Sequence, residues 1–327
     1  MGIRYLNSLI KSQCKDSIKH MDMNQLVGKI IAVDISIYLY KYEITNSLLE
    51  NIYLMLATFR HYNIIPVFIF DGKTPPEKNE LIKKRKYDKI VAKKDYEILN
   101  DKIQCNNNNI HKDEMIEIIA EMNKLKKEFI YIGRNKIENV KQLIRAYGAT
   151  YYDAHGEADE LCAMLVIQNK AWACLSEDMD YFAYGCPRVI RSFCLTKHNV
   201  TVYYMDSILN KLNMTQTEFR NICVISGTDY NHNINVTRQI NLYEIVKQFR
   251  KYKNEQNEQN EQISFYQWLT NLNYILDHEF LIKINKIFDI YYNHNLSIFK
   301  KIMIINGNIN QQLVKEIMST VDFIFLE

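Results

Sequence analysis

An α/β fold is predicted, with a mostly parallel central sheet, helices on both of its faces and a helical insertion. Three observations lead to it. Short apolar runs, KIIAVD, IIPVFIFDG, ATYYDA and AWACLS, alternate with helical patterns. Strand, helix, strand in that order implies right-handed crossovers and parallel pairing. Carboxylates gather at the ends of these runs, where open α/β sheets bind their ligands.

KIIAVD ends at Asp34 and precedes a long helical pattern in which Ile44, Leu48, Ile52 and Leu56 recur at i+4 spacing. IIPVFIFDG ends at Asp71 and a turn glycine. The charged stretch 77–130 separates it from the third strand and reads as two helices joined by the polar tip NNNN. ATYYDA follows a helix around Glu138 to Tyr147 and leads into GEADELCAMLVIQNKAWACLSEDMDYFAYG, residues 156–185. There a helix that is apolar on every side must be buried. It begins at Glu157, Asp159 and Glu160, and the following strand delivers Glu177, Asp178 and Asp180 into a loop. RVIRSF and TVYYM read as further strands, and helices are expected around Asp206 to Leu212 and Thr215 to Ile225, the second stopped by Gly227 with Asp229 just beyond. The polar repeat NEQNEQNEQ, from Asn254 to Gln262, reads as a linker or loop. Residues 1–252 then form a core with the 77–130 insertion, and 253–327 a linker and helical extension.

Nearly half the residues are hydrophobic and a quarter are charged, a globular profile. No apolar run approaches the roughly 18 residues of a membrane span, and the first residues lack a signal peptide's apolar core. A cytosolic or nuclear protein is therefore expected, not a secreted or membrane one. Seven scattered cysteines without a CxxC pair make a zinc site or disulfide framework a poor fit. The net charge of +3 conceals a basic patch: eight Lys and Arg against three acids between Glu77 and Lys94. KKRK, Lys83 to Lys86, fits a solvated helix face, a nuclear localisation run or a phosphate-contacting surface.

The acids at strand ends and turns are Asp34, Asp71, Glu157, Asp159, Asp178, Asp180 and Asp229. Glu157 and Asp159 alone would be explained by a helix N-terminus, which favours negative charge. Seven carboxylates converging at neighbouring strand ends would repel one another and raise their pKa values. Two divalent cations would offset four of the seven charges. Mg²⁺ suits such oxygen ligands and a phosphate substrate. Two ions about 4 Å apart can clamp the attacking and leaving oxygens of an in-line phosphoryl displacement. The chain offers no Ser, His and Asp set and no Gly-rich phosphate loop.

MGI at the amino terminus, VDISIYLY, FIFDGKTPPEK, YYDAHGEADE, SEDMDYFAYG and SGTDY occur in the order and approximate spacing of the flap endonuclease family of structure-specific 5' nucleases, which the sequence resembles over about residues 1–245. The resemblance implies a PIN-like 5' nuclease fold with a helical arch, and two-metal cleavage of DNA at 5' flaps and related junctions. It carries Asp34, Asp71, Glu157 and Asp159 toward one Mg²⁺, and Asp178, Asp180 and Asp229 toward the other, with Mn²⁺ able to substitute. Lys78 and Arg85, seven apart and so two turns apart on one helical face, match the family's basic residues at the scissile phosphate, beside Lys84. Asp178 and Asp180 stand with these two in the catalytic set. Tyr40 matches an aromatic on which a nucleotide stacks, although core packing would also explain it. Gly2 resembles the family's buried mature amino terminus. Met179 and Phe182 read as packing residues.

Departures from the family pattern are also legible. Asp159 stands where a longer Glu is usual, which raises the question of help from Glu160. NHNINVTRQINLYEIV lacks the family's glycines for binding duplex backbone and a monovalent cation. STVDFIFLE lacks the spacing of a sliding-clamp motif. The expected partner is branched or flapped DNA, the expected state a monomer, and the setting replication, repair or recombination in a nucleus or at a viral replication site, such as that of a poxvirus relative. A DNA-binding scaffold without catalysis and an RNA-directed nuclease are the alternatives.

Overall fold

Seven strands form one sheet in the computed structural model, which describes residues 2–106, 112–231, 241–258, 263–272, 278–292 and 302–325. They are β1 (Ile18–Asp22), β2 (Ile30–Asp34), β3 (Ile65–Phe70), β4 (Thr150–Asp153), β5 (Ala173–Leu175), β6 (Arg188–Cys194) and β7 (Asn199–Tyr204), ordered β1-β7-β6-β5-β2-β3-β4. β2 is parallel to β5 and β3, β3 to β4, and β5 to β6. Only β7 runs antiparallel to its neighbours β6 and β1. The mostly parallel α/β sheet expected from the sequence is the one observed.

Side chains alternate across the sheet with the period of two that a strand imposes. Ala32, Val67 and Ile69 enter a core beneath α1 (Leu6–Gln13), while Ile31, Val33, Phe68 and Phe70 enter a second core on the opposite face. That second core holds α2 (Ile35–Glu43), α3 (Leu48–His61) and Val140 to Ala146 of a later helix. One uninterrupted helix was expected after Asp34, and two are found. Asn46 adopts a left-handed φ of 53° between them, and Asn51 Nδ2 donates to the Ser47 carbonyl at 2.8 Å, so the polar NS pair turns the chain despite the apolar i+4 pattern.

The insertion is two long helices, α4 (Asn79–Asn106) and α5 (Lys112–Glu128). Ala92, Ile118, Met122 and Leu125 are buried between them, Tyr96 packs edge-on against Phe129 at 5.4 Å, and Lys102 pairs with Glu114 at 2.7 Å. The polar tip falls largely on residues 107–111, outside the described residues. Lys78 is not on α4. It closes a short 3-10 turn, Pro76–Lys78, which Pro75 and Pro76 initiate, so only Arg85 of that pair lies on the helix.

After α6 (Arg134–Ala146) and β4, helix α7 (Ala158–Ile167) is buried from Leu161 to Val166 on all sides, as its composition predicts. It lies in the first core with α8 (Asp180–Tyr184), α9 (Met205–Leu212) and α10 (Gln216–Ser226). Thr215 closes a capping box with Glu218 at the start of α10, and Gly227, with φ 106°, ends it. Met179 and Phe182 are packed, as expected.

α11 (Leu242–Glu258) runs through Asn254 to Glu258, where a linker was expected. Glu and Gln favour helix, and Glu255 accepts a hydrogen bond from the Trp268 indole at 2.9 Å. Residues 259–262, the rest of that repeat, lie outside the described residues. Two further helices, α12 (Phe265–Asn271) and α13 (His278–Tyr292), continue the first core, and α14 (Gln311–Ser319) joins the second. Before α14 the chain crosses the outer edge of β4. Thr150 Oγ1 meets the Ile305 carbonyl and amide at 2.9 and 2.8 Å, and Tyr152 OH meets those of Met303 at 2.8 Å each. Among the described residues no helix is long and apolar enough to cross a membrane.

Candidate active site

The carboxyl ends of β2, β3 and β5 bring together acids from segments far apart in sequence. Asp34 ends β2 and caps α2, accepting from the Ser36 amide at 3.2 Å. It is buried, and Ser176 Oγ and Tyr181 OH donate to its Oδ2 at 3.0 and 3.3 Å. Asp71, exposed just beyond β3, accepts from Ser36 Oγ at 2.5 Å and from the Ala158 amide at 2.9 Å. It thereby ties the amino end of α7 to β3. Glu157, the residue before α7, receives Lys78 Nζ at 2.7 Å and Tyr230 OH at 2.5 Å.

On the other side, the Asp178 amide donates to Ser176 Oγ at 3.2 Å and Asp178 Oδ1 accepts the Asp180 amide at 3.1 Å. Asp180 is buried, with Tyr291 OH on Oδ2 at 2.8 Å and no hydrogen-bond partner for Oδ1 among the described residues. Asp229 follows the glycine that ends α10 and pairs with Arg85 at 2.8 Å. Its turn is held by Asn231, whose Nδ2 donates to the Val224 carbonyl at 2.7 Å.

Electrostatics joins these groups into one cluster. Burial, then the charges of Asp71 and Asp178, push the Asp34 carboxyl up to about 7. Burial and Asp178 push Asp180 up to about 8, against the pull of Lys78. Asp159 is held well above the usual carboxylate range by burial, with Lys78 pulling it down and Glu157, Asp178 and Asp34 adding repulsion. Asp159 thus belongs to the cluster itself. Lys78 is buried, and its ammonium is also 4.5 Å from the centre of the Tyr230 ring; the surrounding acids raise its pKa despite its burial.

Ion pairs and electrostatic coupling therefore link the seven acids named from the sequence and both basic residues. Lys84 does not join them; it is exposed on α4. Tyr40 is about half exposed at 47%, which removes the core alternative, and Lys89 Nζ sits 5.3 Å from its ring centre. Gly2 lies against the acids: its φ is 74°, and a Cβ there would collide with Asp178 Oδ1 and Asp180 Oδ1. Sequence reasoning did not identify the hydroxyl donors. Two had a signal, because Tyr181 and Tyr230 each follow a site aspartate, yet each serves an acid from another segment. Tyr291, 111 residues from Asp180, had none.

Among the described residues no three His, Cys, Asp or Glu side chains close on a single point. Glu157 and Asp229 are held instead by Lys78 and Arg85. The donor set still fits a hard divalent cation. Carboxylate oxygens dominate it, the buried Asp180 Oδ1 has no hydrogen-bond partner among the described residues, and one oxygen each of Asp178 and Asp180 lies side by side against Gly2, where only a residue without a Cβ lets them approach.

The XPG N-terminal domain model matches residues 1–92 and the XPG I-region model residues 148–229, together over half of the chain and all seven acids. The chain belongs to the flap endonuclease/XPG family. Similar family members include Flap endonuclease 1 of Lodderomyces elongisporus, 28% identical over 269 residues, covering 76% of this chain and 66% of the relative's length. The probable RAD2-like endonuclease 369L of Invertebrate iridescent virus 6 is 28% identical over 295 residues, covering 76% and 71%. Among solved structures, the catalytic core of Rad2 in complex with DNA substrate superposes with a TM-score of 0.67 at 20% identity, covering 98% of this chain and 95% of that one. Human GEN1 in complex with Holliday junction DNA gives 0.59 at 16%, covering 98% and 74%. The stretch between the two matched models, residues 93–147, contains the second half of α4 and all of α5.

This family member's acids carry a pH signature. An acid whose folded-state pKa exceeds the unfolded value of about 3.9 binds its proton more tightly when folded. Without metal, the protonated Asp34 and Asp180 favour the fold at low pH, and that contribution is lost as pH rises from about 4 through about 7 and 8. A bound cation favours the ionised carboxylates. Added Mg²⁺ should therefore raise the Tm more at pH 8 than at pH 5, measured against EDTA by calorimetry. Equal increments at the two pH values would contradict this electrostatic account.

Proposed function

We propose that the protein is a Mg²⁺-dependent, structure-specific DNA endonuclease and 5' exonuclease that hydrolyses phosphodiesters at 5' flaps and related junctions, acting as a monomer in replication, repair or recombination. The observation that carries this reading is the convergence of seven acids with Lys78 and Arg85 at the ends of β2, β3 and β5. Asp34, Asp71, Glu157 and Asp159 would hold one divalent ion, and Asp178, Asp180 and Asp229 the other. When bound, the ions would supply the charge that lowers the pKa of water and stabilises the leaving oxygen.

The chain's own groups do the rest. Lys78 and Arg85 are positive side chains at the acids, placed to exchange their carboxylate partners for the non-bridging oxygens of an incoming phosphate. Lys84 and the exposed basic face of α4 hold the backbone of the strand. Tyr40 offers an aromatic face that stacks on any base, as recognition of shape requires. Ser176 and Tyr181 hold Asp34 in place. The relatives named above are DNA-processing enzymes, which favours a nucleus or a viral replication site as the setting. Phe323 and Phe325 pack on Tyr53 with ring centres 5.1 and 5.6 Å away, so these two aromatics serve the fold in this structure.

The test is an assay on end-labelled flap, nicked and single-stranded DNA and on RNA, with Mg²⁺ or EDTA. A Mg²⁺-dependent cut near the flap junction is expected, together with slower shortening from 5' ends. Binding without any product would leave a scaffold of the same fold, and preference for RNA would displace the DNA reading.

A further inference from the structure

The tyrosine on Asp180 comes from outside both matched family models, from the last turn of α13. Tyr291 is fully buried, its ring meets those of Tyr184 and Tyr230 at 4.8 and 5.6 Å, and its hydroxyl donates to Asp180 Oδ2 at 2.8 Å. The second oxygen of that carboxylate is buried, has no hydrogen-bond partner among the described residues, and lies beside Asp178 Oδ1 where both oxygens press against Gly2. One oxygen is thus anchored by protein and the other is left available.

We propose that Tyr291 is a positioning residue for a divalent cation: by holding Asp180 Oδ2, it fixes the rotamer that aims Asp180 Oδ1, with Asp178 Oδ1, at the ion. The inference rests on the metal assignment above and extends it to the carboxyl-terminal part of the chain, making α13 part of the ion site. A rigid aromatic wall of Tyr184 and Tyr230 keeps the hydroxyl where it is, so the carboxylate loses little freedom when the ion arrives. The Asp180 backbone N–H donates to Asp178 Oδ1, which sets the two carboxylates as a unit.

Tyr291→Phe removes the hydroxyl and keeps the ring. Its Mn²⁺ affinity, by titration calorimetry on the full chain without DNA, should fall by about 10-fold or more, the usual effect of losing an outer partner of a metal ligand. The Mg²⁺ concentration for half-maximal cleavage should rise by a similar factor, while DNA affinity in EDTA stays unchanged. Tyr292→Phe, on the exposed side of the same turn, should leave metal affinity as in the wild type. In an Asp180→Asn background, Tyr291→Phe should cost little further Mn²⁺ affinity, which separates positioning from a general loss of packing. Unchanged Mn²⁺ affinity in Tyr291→Phe, or an equal further loss in the Asp180→Asn background, would overturn the inference. A wild-type protein that binds Mn²⁺ but cuts no nucleic acid would remove the nuclease reading and leave this one standing.

Discussion

Replacing Asp178 by alanine should lower single-turnover cleavage of a 5' flap by about a thousandfold, the scale of losing a main stabiliser of transition-state charge. Affinity for the same DNA should stay within a small factor. Asp178 is only half buried, so its truncation leaves no large cavity, and the basic face of α4 is untouched. What is lost is one of the two oxygens facing Gly2 and the acceptor that holds the Asp180 amide. Asp178→Asn separates these roles, because the amide oxygen keeps that hydrogen bond and the charge is gone. Cleavage by the asparagine variant should be nearly as low as by the alanine one. Binding is read by anisotropy in EDTA and cleavage by quenched-flow after Mg²⁺ addition. Normal Mg²⁺-dependent turnover by either variant would remove Asp178 from the metal site.

Lys78→Met should act differently. Lys78 is buried, so its removal leaves Glu157 with Tyr230 alone and takes the nearest cation from Asp159 and Asp180. Breaking a buried ion pair costs about 3 kcal/mol as an order of magnitude, so the Tm in EDTA should fall clearly. Added Mg²⁺ should narrow that deficit, since a bound ion supplies the missing charge. Cleavage should fall about a hundredfold, as for one lost charge stabiliser, with Mn²⁺ affinity equal to or tighter than that of the wild type. Weaker Mn²⁺ binding in this variant would show that Lys78 supports the metal site and not the phosphate. Arg85→Met is the contrast: Arg85 is half exposed, so cleavage should drop with little change in Tm.

The acids were legible because an α/β sheet presents ligands at its strand ends, and the apolar runs before Asp34, Asp71 and Asp178 marked those ends. The period of two in IIAVD and IPVFIF also showed as continuous apolar runs, since both faces of the sheet are covered. Local polarity was less informative. The turn at Asn46 hid within an apolar pattern that continues on both sides of it, and β1, with its KHMD composition, carries little apolar signal for an edge strand. Lys78 and Arg85 were placed together at the site, but a proline-led 3-10 turn holds one of them. The hydroxyl partners of Tyr181, Tyr230 and Tyr291 could not be placed. A hydroxyl's partner is set by tertiary approach, and Tyr291 reaches Asp180 across 111 residues of chain.

β4 is the last strand of the sheet, and the side-chain hydroxyls of Thr150 and Tyr152 hold against it backbone that lies about 150 positions further on. During synthesis, at about 5 to 20 residues per second, that backbone emerges roughly 10 to 30 s after the strand it covers. For that interval the nascent chain presents an open strand edge beside an already formed apolar face, the kind of surface that attracts stray pairing. The two hydroxyls and their late partner therefore set the moment at which the newborn chain stops being vulnerable to its neighbours.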